Sequence, residues 1–393
     1  MKRCFTYNSI FCLLILLACN NANKQKEGNP SVSYNYSLEV TGETITYNVP
    51  SDVTYQVTTL FPFTDKAGNE YITFQNANLN DILFYKKYEK DHFLKKSYMM
   101  EGDKGVGRFT GYWIEDFDRI YLTSVFQPEI LRVDTADNII AKYKYPKTTD
   151  GHPLIPHCSM SVRYTPGVII NNKIYISQRV YPGQALSNTY LSATIDTITK
   201  EVEKHPFLFP DFLPENIDMN KLNGIEHGYS RCFSGSDFVY SFSYNENIYV
   251  ASIDHKDIRE IPVKSKYIPA LKKLEPRPDD MNEGAKMLCE APMYGNLLYD
   301  KYRDVYYRFA YPETVMEDQP YYVDIVKSGR KKFSIIILDK NFNIIGETLF
   351  PEYVYSKVFF IDKKGLYISN SHLMNPEFEE DVLSFQCFEL KKK

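Results

Sequence analysis

One element recurs along this chain and limits what it can fold into: a strand end, an aspartate, a short polar turn and a second strand. It reads Val133-Asp134-Thr135-Ala136-Asp137-Asn138-Ile139, Ile195-Asp196-Thr197-Ile198-Thr199-Lys200, Ile253-Asp254-His255-Lys256-Asp257-Ile258 and Leu338-Asp339-Lys340-Asn341-Phe342-Asn343-Ile344, with a degraded copy at Phe84-Tyr85-Lys86-Lys87-Tyr88. Upstream of each lies an aromatic strand: Tyr71 to Gln75, Tyr121 to Ser124, Tyr175 to Gln178, Val239 to Phe242 and Tyr306 to Phe309, with a sixth at Leu366 to Ser369. A supersecondary unit returning every 50 residues or so, roughly 50 to 65 here, is the signature of a propeller.

The expected fold is therefore all-β, a β-propeller of six blades, with seven as the alternative. The 33 tyrosines and 25 phenylalanines in 393 residues suit strands, and long helical periodicity is scarce. The first blade is predicted at Tyr55 to Phe61, Tyr71 to Gln75, Ile82 to Lys86 and Phe93 to Met99. The last has three clear strands, around Lys357, Tyr367 and Phe385. An N-terminal pair, Tyr36 to Val40 and Thr44 to Val49, is expected to supply the missing strand and hide the ring's edges.

The start of the chain gives an address. Lys2 and Arg3 precede an apolar run from Ile10 to Leu17, too short to span a bilayer, which takes about 20 residues, and shaped like a secretory signal. Leu16-Leu17-Ala18-Cys19 is a lipobox: a small residue before the scissile bond and a thiol to take the lipid. Residues 1–18 are thus expected to be removed, Cys19 to be the lipid attachment site, 19–35 to form a polar tether and 36–393 to form the propeller. Removing Lys2 and Arg3 takes the formal charge from -4 to about -6, which leaves no basic footprint for nucleic acid. The membrane partner is reached through lipid, and several acyl chains make such anchoring durable. Asn20 after the cysteine favours the outer membrane, with the periplasmic or outer surface left open.

Cys158, Cys232, Cys289 and Cys387 are scattered with no Cys-x-x-Cys spacing. Pairing is open to them in an exported protein, but a chain this long builds its core without staples, which favours buried thiols.

In a propeller the A-B and C-D connections leave one face and the B-C and D-A connections the other. The first set is short, as in Asn171-Asn172, Ser234-Gly235-Ser236, Lys301-Tyr302-Arg303 and Lys340-Asn341. The second holds the insertions Pro146 to Pro166, Tyr181 to Asn188, Pro206 to Gly228, Lys264 to Leu288 and Tyr311 to Lys331. Long loops in a compact domain are often functional, so a working face is expected there. Its candidate ligand-binding residues are Gln75, Gln178, Arg179, Arg308 and Asn370 at strand ends, and His152, His157, Arg163, His227 and Arg231 around them. Cations and histidines suit an anionic or sugar-like ligand.

Catalytic signatures are missing. Glu101 to Phe109 holds three glycines but no strand-loop-helix unit for phosphate, and Ser234-Gly235-Ser236 is a hairpin turn rather than a nucleophile elbow. No His-Glu-x-x-His, Cys-x-x-Cys or calcium-loop spacing asks for a metal, and nothing asks for a cofactor. The reading that follows is an envelope propeller binding a glycan, peptide or protein. A hydrolase or lyase acting in the funnel on carbohydrate or peptide, and a structural subunit of an envelope complex, are the alternatives.

The C-terminal third sharpens this. Lys332 to Thr348, then Lys364-Gly365-Leu366-Tyr367-Ile368-Ser369 and Glu379-Glu380-Asp381, resemble a family of Bacteroidetes lipoproteins catalogued as domain of unknown function 4221. The resemblance runs along the mature chain and implies a propeller-like lipoprotein, with no catalytic residues to carry over.

Overall fold

The recurring aspartate is a turn cap. Asp134 Oδ1 accepts the backbone N–H groups of Ala136 and Asn138 at 2.9 Å, and its Oδ2 takes the Asn138 amide. Asp339 repeats this with Asn341 and Asn343, and Asp196 holds Ile198 and Thr199. Each turn also contains a left-handed residue, at Asp137, Lys200, His255 and Phe342. Capping the turn's free N–H groups from within lets the chain reverse tightly and return as the next antiparallel strand.

The computed structural model describes residues 25–26, 30–54, 57, 59–76, 79–157, 159–160, 164–180, 185–213, 227–273, 275–319 and 321–393. Met1 to Ala18, Cys19, Cys158 and Arg163 lie outside them. The chain opens with β1 (Gln25–Lys26) and a long β2 (Val32–Asn48). Three four-stranded antiparallel sheets follow. The first is β3 (Leu60–Thr64), β4 (Glu70–Asn76), β5 (Asp81–Lys86) and β6 (Leu94–Ser97). The second is β7 (Gly111–Asp116), β8 (Arg119–Thr123), β9 (Glu129–Val133) and β10 (Ile139–Lys144). The third is β11 (Val168–Ile170), β12 (Lys173–Ser177), β13 (Ser192–Asp196) and β14 (Val202–Lys204).

A fourth sheet, β15 (Tyr229–Phe233), β16 (Asp237–Phe242), β17 (Asn247–Ser252) and β18 (Ile258–Pro262), carries β1 on its outer edge, parallel to β18. The remaining strands are β19 (Met293–Asp300), β20 (Val305–Tyr311), β21 (Ser334–Asp339), β22 (Ile344–Leu349), β23 (Tyr355–Ile361), β24 (Leu366–Ser369) and β25 (Val382–Lys392). With β2 they make one eight-stranded sheet in the order β19-β20-β21-β22-β2-β25-β24-β23. Two helices, α1 (Met281–Glu290) and α2 (Tyr322–Ser328), occupy the connections before β19 and after β20.

The architecture is all-β and propeller-like, but the expected six or seven separate blades are not what the strands form: the described residues make four smaller sheets and one of eight strands. The reason is β2. It was expected as a pair of strands and is one strand with a register shift between Val40 and Thr44. Its first part runs parallel to β22, with Val32 opposite Ile344 and Tyr36 opposite Gly346, while Tyr36 to Asn48 run antiparallel to β25 from Lys392 to Val382. A strand bonded on both edges merges the two antiparallel groups beside it. The strand starts before Tyr36, so part of the segment expected as tether is sheet.

The first strands of neighbouring groups lie together at the centre, β3 beside β7 and β23, and β15 beside β19. The core is accordingly a ring of clusters between groups rather than one mass. Phe63, Tyr71, Ile82 and Phe84 of the first sheet pack on Tyr112, Ile114 and Leu122 of the second. Trp113, Tyr121 and Ile130 meet Ile174, Ile176 and Ile195 of the third. The eight-stranded sheet folds on itself, so that Phe309 and Phe333 face Phe359, Leu366 and Ile368. Full burial of each such side chain contributes roughly 1.5–3 kcal/mol.

The closing pair is the sensitive joint. A Cβ on Gly346 would collide with the carbonyl oxygen of Tyr36, so Gly346→Val must push β2 off β22. We expect a loss of about 1–3 kcal/mol, the usual cost of overpacking, read as a lower thermal unfolding midpoint. Gly42, where a Cβ would meet nothing within 4 Å but φ is +80°, gives the contrast: Gly42→Asn, which tolerates left-handed backbone, leaves stability near that of the parent.

Candidate functional site

Polar residues at the strand ends lie in the seams between sheets. Gln75 is fully buried and donates to the Phe109 carbonyl at 3.0 Å. Gln178 is buried and pairs through its amide with both backbone groups of Ile155. Arg308, also fully buried, donates to Ser241 Oγ at 2.9 Å and to the carbonyls of Glu246, Val263 and Asn245 at 2.5, 2.7 and 2.6 Å, and stacks 3.8 Å from the Tyr294 ring centroid. Arg231 donates to the carbonyls of Ile176 and Tyr175 and to Ser192 Oγ, over the Phe238 ring. These groups tie one sheet to the next. Burial lowers the Arg308 pKa to about 10, leaving it a cation at neutral pH.

The remaining candidates divide in the same way. His157 is fully buried between Ser177 Oγ at 2.8 Å and Ser159 Oγ at 3.0 Å. His152 is half-buried, edge-on to Tyr190. Arg179, His227 and Asn370 are half-buried, and Asn370 holds the turn that follows it by accepting from His372 N and Asn375 Nδ2. The structure brings His157, Gln178, Arg179 and Arg231 together around the third sheet; Gln75 and Arg308 sit in other seams, and Asn370 lies in the connection between β24 and β25. The buried members of this set face protein and are not exposed to a ligand on the long-loop face. Cys232, Cys289 and Cys387 are buried free thiols.

A cavity of about 440 Å³ opens at the opposite end of the central axis. It is built from the ends of the inner strands β3, β7, β19 and β23 and the short turns that follow them, with Leu60, Ile72, Ile114 and Leu298 inside and Phe61, Phe63, Tyr71, Tyr299, Tyr302 and Phe359 as aromatic walls. The long-loop face holds a smaller hollow, about 260 Å³, between Tyr244, Lys272 and the end of α1. Of these two hollows among the described residues, the larger lies away from the long loops, where the inner strands converge.

Charge enters this cavity through Lys87. Its ammonium bridges Glu70, at 3.1 Å, and Asp362, both ends of the latter pair being buried. Burial disfavours the cation, but the bonds to Asp362 and then Glu70 outweigh it and raise the Lys87 pKa. Asp362 is itself fixed by the N–H groups of Lys364 and Gly365. Arg303 clamps the same corner, donating to Asp300 Oδ2 and to the carbonyls of Asp362 and Lys363. Glu115 and Lys301 complete the polar rim. Lys87 stands in the degraded copy of the repeat, where a lysine and a longer connection replace the turn-capping aspartate. That departure is the signal in the sequence that could have led to the site. Among the described residues no three His, Cys, Asp or Glu side chains are grouped to hold a metal ion.

Two outcomes test the seams. Arg308→Lys removes the forked donor that spans several carbonyls and should cost about 3 kcal/mol or more in urea unfolding, since buried acceptors lose their partner. Burial, then repulsion from Arg231 and Arg179, lowers the His157 pKa to about 3. The folded value is below the unfolded one, so the unfolded chain takes up the proton first and stability falls as pH drops below about 6.5, down to the folded value. In His157→Gln the difference in unfolding free energy between pH 7 and pH 5 should shrink by about 2 kcal/mol relative to the parent.

The family described as Domain of unknown function (DUF4221) matches residues 33–349. No curated protein matches the chain. Among solved structures, a DUF4221 family member from Bacteroides vulgatus is 26% identical, with a TM-score of 0.79 over 92% of this chain and 100% of its own. A Bacteroides fragilis protein named for its expected export is 10% identical, TM-score 0.49, over 94% and 99% of the two chains. A gluconolactonase of Xanthomonas campestris is 9% identical, TM-score 0.46, over 92% and 99%. The last two are too distant to inform the chemistry of this cavity. By the family match and the Bacteroides vulgatus structure, the chain belongs to the DUF4221 family.

Proposed function

We infer that this protein is an envelope-anchored binding protein whose ligand occupies the central cavity. The observation that carries the reading is the cavity: its volume falls within the ~300–1,000 Å³ of small-molecule sites, and such sites are mostly apolar with a few placed polar groups. Aromatic walls offer flat apolar contact, and Glu70, Lys87, Lys301 and Asp362 supply hydrogen bonds of both signs. A sugar or peptide fragment with an apolar face fits that lining. The lipobox at Cys19 supports placing this activity in the cell envelope, on the outer membrane.

The lining favours binding over hydrolysis or lyase chemistry. Lys87 is held as a cation by two carboxylates, so it offers no free base, and those carboxylates are engaged with it rather than set apart around open space. The long-loop face is available for a protein partner in the same reading, but the cavity is where a small ligand would be enclosed.

Thr64 is exposed at the end of β3 and lines the mouth, so Thr64→Trp should fill the opening without disturbing the core. With 8-anilinonaphthalene-1-sulfonate as probe, the parent should show one saturable site, and the variant should bind at least about fivefold more weakly with an unchanged thermal midpoint. No saturable site in the parent, or equal binding by a folded variant, removes the cavity as the binding site.

A further inference from the structure

Three placements on the fold coincide. The cavity mouth is formed by inner-strand ends, by the turns at Lys301-Tyr302 and Asp362, and by Lys87 in a C-D connection, all at the short-turn end. β1 lies on the outer edge of the fourth sheet, parallel to β18, with Gln25 opposite Arg259 and Lys26 opposite Glu260. Because β18 starts at Ile258, directly after the Asp254 turn, and β1 runs parallel to it, the N-terminal end of β1 points towards that same end. The C-terminus emerges there too: Lys392 pairs with Tyr36, the Lys393 N–H donates to the Asn35 carbonyl, and Lys391, Lys392 and Lys393 are exposed.

Five residues lie between Cys19 and Gln25, six steps along the backbone. Fully extended they reach roughly 20 Å, about the length of one strand of five or six residues. From a point already near the short-turn end, that reach does not carry an anchor beyond the long-loop face. A lipid on Cys19 therefore holds the short-turn end nearest the bilayer, and three exposed lysines at that end meet anionic headgroups favourably.

We propose that the cavity mouth faces the membrane and takes an amphiphile from the bilayer surface, its apolar part against Leu298 and Phe359 and its polar part at Lys87, Glu70 and Lys301. This rests on the lipobox at Cys19 and on the cavity being a binding site. It names the source and class of the ligand: membrane-borne, with a short apolar segment and a polar head.

The test uses the lipidated full chain in vesicles of phosphatidylcholine and phosphatidylglycerol at three to one, with a nitroxide on a fraction of the headgroups. Ile198 is 72% exposed in a short turn and Val315 82% exposed on the long-loop face, neither lining the cavity, and Trp113 is buried background common to both variants. Ile198→Trp should be quenched at least about threefold more strongly than Val315→Trp. Equal quenching, the reverse order or failure of the lipidated chain to attach overturns the orientation, and leaves the Thr64→Trp result to judge the cavity separately. In the same vesicles, phosphatidylcholine with a photoreactive acyl chain should label peptides containing Leu298 to Tyr302 or Phe359 to Asp362. Labelling confined to the N-terminal peptide overturns the membrane-borne ligand even when the quenching order is as expected.

Discussion

The pairing of β2 on both of its edges is the constraint from which the rest of the molecule follows. Bonded to β22 on one side and β25 on the other, it leaves no open strand edge where the beginning and end of the domain meet. It also brings β23 against β3, so that the first four-stranded sheet and the eight-stranded sheet share one wall of the central cavity. Tyr47 of β2 seals the same junction, its ring packed on Tyr85 and Phe385 and its hydroxyl donating to the Lys87 carbonyl at 2.6 Å. The residue that carries charge into the cavity is thus held by the strand that closes the ring.

Between the sheets the work is shared by aromatic packing and by a few buried cations with satisfied donors. An arginine in a seam desolvates a charge, which is costly unless its hydrogen bonds are made. Arg308 and Arg231 meet that condition with backbone carbonyls and hydroxyls rather than carboxylates. Such contacts specify register: a carbonyl fork recognises one arrangement of neighbouring strands, whereas aromatic surface tolerates sliding.

The repeat was legible because its cause is local. An aspartate that caps its own turn writes the same letters at each recurrence, and the aromatic strands before it mark the period. The extent of the eight-stranded sheet was not legible, since β2 and β22 pair across most of the chain and share no motif. The central cavity was not legible for a related reason. Arg308, Gln178 and His157 carry the residue types of a ligand-binding face, but sequence does not distinguish a polar side chain aimed at a ligand from one aimed at the next sheet. The cavity is assembled from unremarkable apolar strand ends in separate sheets, and only Lys87, in the copy that departs from the repeat, left a trace.

The closure by β2 also orders events in time. More than 300 residues separate β2 from its partner β25, so the strand waits for one of the longest loop closures in the fold before it can pair. Contacts this distant in sequence form slowly, and unpaired strands are where partly folded chains associate. The strand is suited to waiting: its positions are mostly exposed or half-buried, with Glu39, Thr41 and Thr44 among the exposed ones. Loss of even the final twelve residues would strip β2 of its antiparallel partner, so a truncated chain is expected to be a target for proteolysis instead of a smaller working domain.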